Sequence, residues 1–314
     1  AASIAGLPMV APAPLRDSGQ WAIGTSLGLY FTPAVIAVLA GLLPALALGV
    51  VWSLLMGYGF YRLLWWRHGD EPGVNRGTAF FAASIGGASE MALLAERHDG
   101  RVDRVAAAHS LRIVLVVVAI PFVLQALGVR GADPALPAMT EVRPGGLALL
   151  VVLTLAGAAL MRRLGLPTPW VVGPLVVGIL VTAFELQLSA LPRVITNFGQ
   201  LFIGVALGVR FTPGFARAAP RWLVTVAVGT LAMMAASAGF GGLLALWLGL
   251  HPATLILATA PGGIAEMSIT AKVLQLGVPV VTAFQLVRYL AVLLLTAPLF
   301  RLEQARLGRS AGRA

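Results

Sequence analysis

The chain has 314 residues, 59% hydrophobic and 11% charged, with a net charge of +10 and no cysteine. A water-soluble domain carries about 25% charged residues, so this composition excludes one, and zero cysteine excludes disulfides and thiolate metal sites. The arginines stand at the ends of apolar runs, where they set membrane topology, and no helix-turn-helix or basic arm is left over to bind nucleic acid.

Residues 18–61 and 222–265 contain no Asp, Glu, Lys or Arg, each run exceeding the roughly 20 residues that cross a bilayer. Neither alternates with period two, which excludes a transmembrane β-barrel. In chain order, residues 1–17 read as a loop, 19–31 as a short glycine-containing span and 34–61 as a long one. Residues 62–76 form a polar loop with Arg62, Arg67 and Arg76. A glycine-broken segment follows at 77–95, then a charged loop at 96–104 and a span at 105–127. Beyond the proline-containing connection come spans at 146–160, 168–184, 195–209 and 223–250. A second glycine-broken segment lies at 254–274 and a last span at 280–300. The basic tail, 301–314, is expected to fray at its end.

The two broken segments are copies of each other. Gly86, Gly87, Glu90, Met91 and Arg112 recur as Gly262, Gly263, Glu266, Met267 and Arg288, each offset by 176 (262 − 86). Upstream, GQWAIGTSLGLYFTP at 19–33 lies over GQLFIGVALGVRFTP at 199–213, offset by 180 (199 − 19). A repeat of this size governs the fold. Its units are a first repeat at 1–128, a connection at 129–144, a second repeat at 145–301 and a cytoplasmic tail at 302–314. The spans at 146–160 and 168–184 have no counterpart upstream, so the first repeat reads as lacking its first two helices. With the arginine-rich tail cytoplasmic, the loops holding Arg62–Arg76, Arg162–Arg163 and Arg210, Arg217 and Arg221 share its side only if each broken segment is a re-entrant hairpin. The predicted fold is therefore an all-α polytopic membrane protein of two inverted repeats. Each repeat has five transmembrane helices plus a Gly-Gly re-entrant or broken helix.

Glycine pairs unwind backbone, and Pro261 precedes the second pair. Unwound backbone at membrane depth, with free N–H groups and helix ends, makes a solute or ion site where it lines a cavity. Close helix packing is the alternative for Gly86, Gly87, Gly262 and Gly263. Glu90 and Glu266 are the acids inside apolar segments, and an intramembrane carboxylate is functional by default. Burial disfavours its charged form and so suits it to coupling with H⁺ or Na⁺. The alternative is a structural glutamate paired with arginine. Arg112 and Arg288 each lie 22 residues beyond their glutamates (112 − 90). They either pair with them or bind the carboxylate of a small organic anion through a two-pronged guanidinium, with His109 and Gln285 adding contacts. Scattered histidines at 68, 98, 109 and 251 give no metal-binding spacing. Gly24/Gly28 and Gly204/Gly208 read as packing faces, and Trp65, Trp66, Trp170 and Trp222 as interfacial anchors.

With its duplicated GG-x-x-E-M units, the PTPWVVGP stretch at 167–174 and the G-Q…G…L-G segments, the chain resembles the AbrB-type duplicated membrane protein family over essentially its whole length. It departs from that pattern where the first copy's own P-W-x-x-G-P helix is missing. The resemblance implies a multi-pass protein of the bacterial inner membrane, a transporter of unsettled substrate, and the arginine-rich tail puts its C-terminus in the cytoplasm. Members also carry the labels regulator of gene expression and ammonia monooxygenase. The residues supply neither a DNA-binding segment nor a copper- or iron-ligand cluster. The expected function is ion-coupled secondary transport of a small carboxylate-type anion, with Na⁺ or H⁺ as coupling ion, no cofactor and no enzymatic activity. Expected partners are the bilayer and the solute, a homodimer is compatible, and nucleic acid is not among them. A membrane sensor acting on gene expression through a cytoplasmic partner is the alternative.

Overall fold

Proline marks where most of the helices begin. In the computed structural model, which describes residues 12–132, 137–208 and 219–311, Pro occupies the first or second position of α1 (Ala13–Gly28), α2 (Pro33–Gly41), α3 (Leu43–His68), α7 (Pro144–Arg163), α8 (Pro169–Ala183), α10 (Pro220–Leu248) and α11 (Pro252–Thr259). There its missing N–H has no helical partner to lose and its fixed φ suits the first turn. The remaining helices are α4 (Arg76–Ala83), α5 (Ala88–Glu96), α6 (Val102–Ala126), α9 (Arg193–Gly208), α12 (Ile264–Val273) and α13 (Val278–Ala311). α3, α6, α7, α10 and α13 are long and apolar enough to cross a bilayer. No strand occurs among the described residues.

Three expectations change. The single span over 34–61 is two helices: α2 bends 85° away from α1, and Pro44 at the start of α3 keeps α2 and α3 from joining. The last helix does not end with the span at 300: α13 continues through the basic stretch to Ala311. Trp222 is no interfacial anchor. Its side chain is fully buried, its indole N–H donates to Arg104 O at 3.2 Å, and its ring meets His68. The Arg210 and Arg217 loop lies outside the described residues.

Both broken segments are hairpins, as tied bases show. Asn75 caps α4 by accepting from Thr78 N–H at 2.8 Å, and its Nδ2 donates to Asp99 O at 2.7 Å, just after α5. In the second hairpin, Gly277 N–H donates to Thr254 Oγ1 at 3.2 Å, joining the end of α12 to the start of α11. The long helices fix the directions of entry. α6 leaves the base of the first hairpin and ends where Gly131 N–H donates to Leu274 O at 3.0 Å, at the base of the second. α13 runs the opposite course, from the second base to Phe300, whose ring sits 4.9 Å from both Phe81 and His98 at the first. A helix of that length covers roughly 35 Å. The hairpins therefore enter from opposite ends and meet tip to tip, which is what inverted repeats require.

A cluster of polar groups anchors the first base. His68 bonds Glu71 at 2.6 Å and Thr225 at 2.8 Å, and Arg104 donates to Glu71 at 2.8 Å. Burial pushes the Glu71 carboxyl up, but the hydrogen bonds from His68 and Arg104 outweigh it and hold the group below the usual carboxylate range.

α3–α6 and α10–α13 pack around the hairpins, while α1, α7, α8 and α9 form a panel beside them. The pseudo-twofold axis passes through the panel at Gly19 and Gly199, repeat equivalents whose backbones touch: a Cβ on Gly19 would lie 2.8 Å from Gly199 O. On the outer face of α1, Gly24 and Gly28 seat α8. A Cβ on Gly24 would stand 2.3 Å from Val171 O, and one on Gly28 2.6 Å from Leu175 O. A carbonyl inside a helix cannot move aside, so Gly24→Val is expected to force α1 off α8, at a cost of about 1–3 kcal/mol. Thermal unfolding of the purified protein checks this, with Gly239→Ala, whose Cβ meets nothing within 4 Å, as the unaffected control. Gly204, the mate of Gly24, has no such neighbour among the described residues: a Cβ there meets none of their atoms within 4 Å.

Candidate functional site

The tips are residues 84–87 and 260–263, between the paired helices. Four residues without helical hydrogen bonds leave carbonyls bare in an apolar setting, and side chains from the long helices answer them. Arg112 Nη2 donates to Ser84 O at 2.9 Å and Nη1 to Ala83 O at 3.4 Å. Its Nη2 also meets His109 Nδ1 at 2.7 Å, and His109 Nε2 meets Phe81 O at 2.9 Å. Since arginine only donates, Nδ1 is the acceptor, and Nε2 carries the proton that goes to Phe81 O. The second repeat repeats the device with different chemistry. Gln285, at the His109 position (285 − 109 = 176), donates to Leu257 O at 2.8 Å and Ala260 O at 3.2 Å. Arg288 donates to Ala260 O and Gly262 O. Both arginines stand ten residues into their helices, about 15 Å from the hairpin bases and level with the tips.

The GG-x-x-E-M motif follows from the same geometry. A Cβ on the first glycine would strike the buried methionine: at Gly86 it would stand 2.9 Å from Met91 Cε and at Gly262 2.7 Å from Met267 Cγ. One on the second glycine would strike the glutamate, standing 2.0 Å from Glu90 Oε2 at Gly87 and 2.0 Å from Glu266 Oε2 at Gly263. The second glycine is the N-cap of α5 or α12 and the glutamate is its third residue. Each carboxylate folds back over the start of its own helix, where the helix dipole favours negative charge.

The two tips enclose a cavity of about 400 Å³. Gly86, Gly87, Glu90 and Arg112 line it from one repeat, and Gly262, Gly263, Glu266, Arg288 and Tyr289 from the other. Arg16 and Gln20 of α1 and the start of α8 complete the wall. Thus eight of the ten residues singled out from sequence come together. His109 and Gln285 do not reach the cavity; fully buried behind the tips, they hold backbone. The two arginines are likewise engaged with carbonyls. One donor at the tips is left over: Arg288 Nε is buried with no partner among the described residues, at a cost of about 1–3 kcal/mol unless something accepts from it.

Tyr289 escapes sequence reasoning. Its hydroxyl donates to Glu90 Oε1 at 3.3 Å and accepts from Thr168 Oγ1 at 3.3 Å, linking the repeats across the cavity. The signal was an asymmetry: its repeat equivalent is Ile113 (289 − 176). Lys272, the chain's only lysine, donates to Ser26 Oγ at 3.3 Å and so ties α12 to the panel.

Comparison with known proteins gives one family. The model described as "Transition state regulatory protein AbrB" matches residues 1–304. The chain is 27% identical over 307 residues to the "Uncharacterized protein YhjN" of Bacillus subtilis (strain 168), covering 90% of this chain and 77% of that protein. It is 24% identical over 294 residues to the "Putative regulator AbrB" of Escherichia coli (strain K12), covering 93% and 83%. No solved structure matches.

Proposed function

The chain belongs to the AbrB family, and from that premise we propose that it is an ion-coupled secondary transporter of a small carboxylate-type anion, seated between the hairpin tips. The observation that carries this reading is the meeting of two oppositely entering Gly-Gly tips at one cavity, which the starts of α5 and α12, Glu90, Glu266 and Arg288 also line. Unwound backbone at membrane depth is tolerated where it lines such a cavity, and helix N-termini there receive anionic groups. Glu90 and Glu266 now hold the two anion positions at their own helix starts. A solute carboxylate takes one of them, and the displaced glutamate is neutralised by H⁺ or Na⁺, which couples the two movements. The membrane is the bacterial inner membrane. Arg62, Arg67, Arg76, Arg101 and Arg104 flank the end where the first hairpin enters, and Arg301 and Arg306 follow where α13 reaches it; this arginine bias supports a cytoplasmic C-terminus.

Uptake of small mono- and dicarboxylates into vesicles holding the purified protein, under an imposed pH or Na⁺ gradient, tests this. Gradient-driven uptake is expected for the wild type, falling to the protein-free background in Glu266→Gln. The E. coli relative's name supports a second reading, a sensor that binds its ligand in the same cavity and moves nothing. Carboxylate-dependent thermal stabilisation without uptake under either gradient would favour the sensor.

A further inference from the structure

Behind the first tip, α3, α4 and α13 border a separate groove of about 430 Å³. Val51, Leu55 and Gly57 line it from α3, Ser84 and Ile85 from the tip, and α13 from Val292 to Arg306. A Cβ on Gly57 would meet Ala83 O and Ser84 Cα at 3.8 Å, so α3 lies against the back of the tip. Ile85 borders this groove and the solute cavity alike. The wall is apolar although three hydroxyls stand in it: Ser53, Ser84 and Thr296 donate to Val50 O, Phe80 O and Val292 O of their own helices, so their protons are already engaged. On its open side Val51 and Leu55 are more than half exposed. Along α13 the distance from Val292 to Arg306, fourteen residue steps (306 − 292), is about 21 Å. That is the depth of one leaflet with its headgroups, about 20–22 Å. The charges in the lining stand at one end, Glu303 and Arg306, nearly one turn apart on α13. Tyr58 lines the groove as well, its hydroxyl accepting from Arg62 Nη1 at 3.5 Å. Among the described residues no arginine lies within 4.0 Å of the Glu303 carboxylate.

We propose that this groove is a site for one phospholipid of the ethanolamine class, in the leaflet where the first hairpin enters. Its headgroup carries both signs: the phosphate meets Arg306 and the ammonium meets Glu303, while one acyl chain follows α13 down to Ser84 and Ile85. A purely anionic headgroup sets its charge against Glu303 and leaves that carboxylate without a cation. A choline headgroup has no N–H to donate to it, and charge-assisted hydrogen bonds are the strong ones. The bound chain supports the first tip from behind. Arg112 holds Ser84 O from the α6 side, and the lipid meets Ile85 from the α3 side. This assignment goes beyond the transport reading and rests on no step of it.

Native mass spectrometry of the full chain tests this. The purified protein in detergent is given equal amounts of phosphatidylethanolamine, phosphatidylglycerol and phosphatidylcholine with the same acyl chains, and the lipid it retains is weighed. One tightly retained lipid per chain is expected, with phosphatidylethanolamine favoured about fivefold over each of the others, the upper end for a half-exposed ion pair. Glu303→Gln should abolish the preference but keep the retention. Arg306→Gln should weaken retention of phosphatidylethanolamine and phosphatidylglycerol alike. Leu55→Trp, which fills the groove from its open side, should lower retention of all three. Unfolding temperatures in lipid-free detergent check that each variant is folded, and the wild-type comparison decides the matter where one is not. Equal retention of the three lipids by the wild type would overturn the proposal and assign the groove to bulk lipid. A preference for phosphatidylglycerol would overturn it in favour of an anionic lipid, and a dimer that retains no lipid in favour of a second copy of this chain. No readout involves a solute or a gradient, so this assignment and the transport reading fail separately.

Discussion

Arg288→Met is expected to give a chain that inserts and folds but has lost its second tip. The guanidinium is the donor to Gly262 O, and it shares Ala260 O with Gln285. Removing it bares Gly262 O, where an unmade bond costs about 1–3 kcal/mol. The methionine fills the volume and also removes the unpartnered Nε, so part of that loss is recovered. The loss of function should be larger than the loss of stability. Without the fork, residues 260–263 no longer hold the cavity wall, and carboxylate-dependent stabilisation should disappear while the unfolding temperature falls by only a few degrees. Arg288→Lys should not rescue it, because a single ammonium cannot reach two carbonyls in fixed geometry as a planar fork does. Arg112→Met should be milder in the binding readout, since Arg112 lacks a free donor of the kind Arg288 has. Full carboxylate-dependent stabilisation in Arg288→Met would rule out the tip-holding role.

Much of this architecture was legible because it is written twice. One copy of GG-x-x-E-M could be chance packing, but two copies at one offset, each followed by an arginine at the same distance, fix paired elements. The arginine distribution then favours inverted hairpins over fully crossing segments. What sequence could not decide was the partner of each arginine. A carboxylate partner is the usual expectation inside a membrane, yet the unwound tips create bare carbonyls that exist only once the hairpin has formed, and those take the guanidinium. The use of His109 and Gln285 was hidden for the same reason: imidazole and amide are unlike in sequence but alike as N–H donors to Phe81 O and Leu257 O. The break at residue 42 was missed because hydropathy does not register it. Leu42, Leu43 and Pro44 are as apolar as their neighbours, and only the missing N–H of proline ends the run. Gly204 could be judged only in three dimensions. Its sequence context matches that of Gly24, and the difference is what stands opposite.

The second glycine of each tip gives a test in which one substitution should change sign with its background. Gly263 has φ −92° and ψ 161°, and Gly87 φ −67° and ψ 138°, conformations open to any residue. Glycine is therefore not required there by the backbone. It is required by the carboxylate: a methyl group at Gly263 would overlap Glu266 Oε2, 2.0 Å away. Gly263→Ala alone should drive that carboxylate off the start of α12, losing about 0.3–1 kcal/mol of its interaction with the helix dipole. Because the displaced group is the proposed coupling residue, gradient-driven uptake should fall to background. In a Glu266→Ala chain the obstacle is gone. There the same glycine substitution should stabilise by about 0.4–1 kcal/mol, through the smaller conformational freedom of the unfolded chain. Unfolding of the four chains of this cycle in detergent measures the coupling between the two positions. Additive effects would mean that the carboxylate does not rest on the glycine, and the motif would then need another explanation for its second Gly. Coupling of the expected sign would tie the GG-x-x-E spacing to one physical fact: the glutamate occupies the start of its own helix until something displaces it.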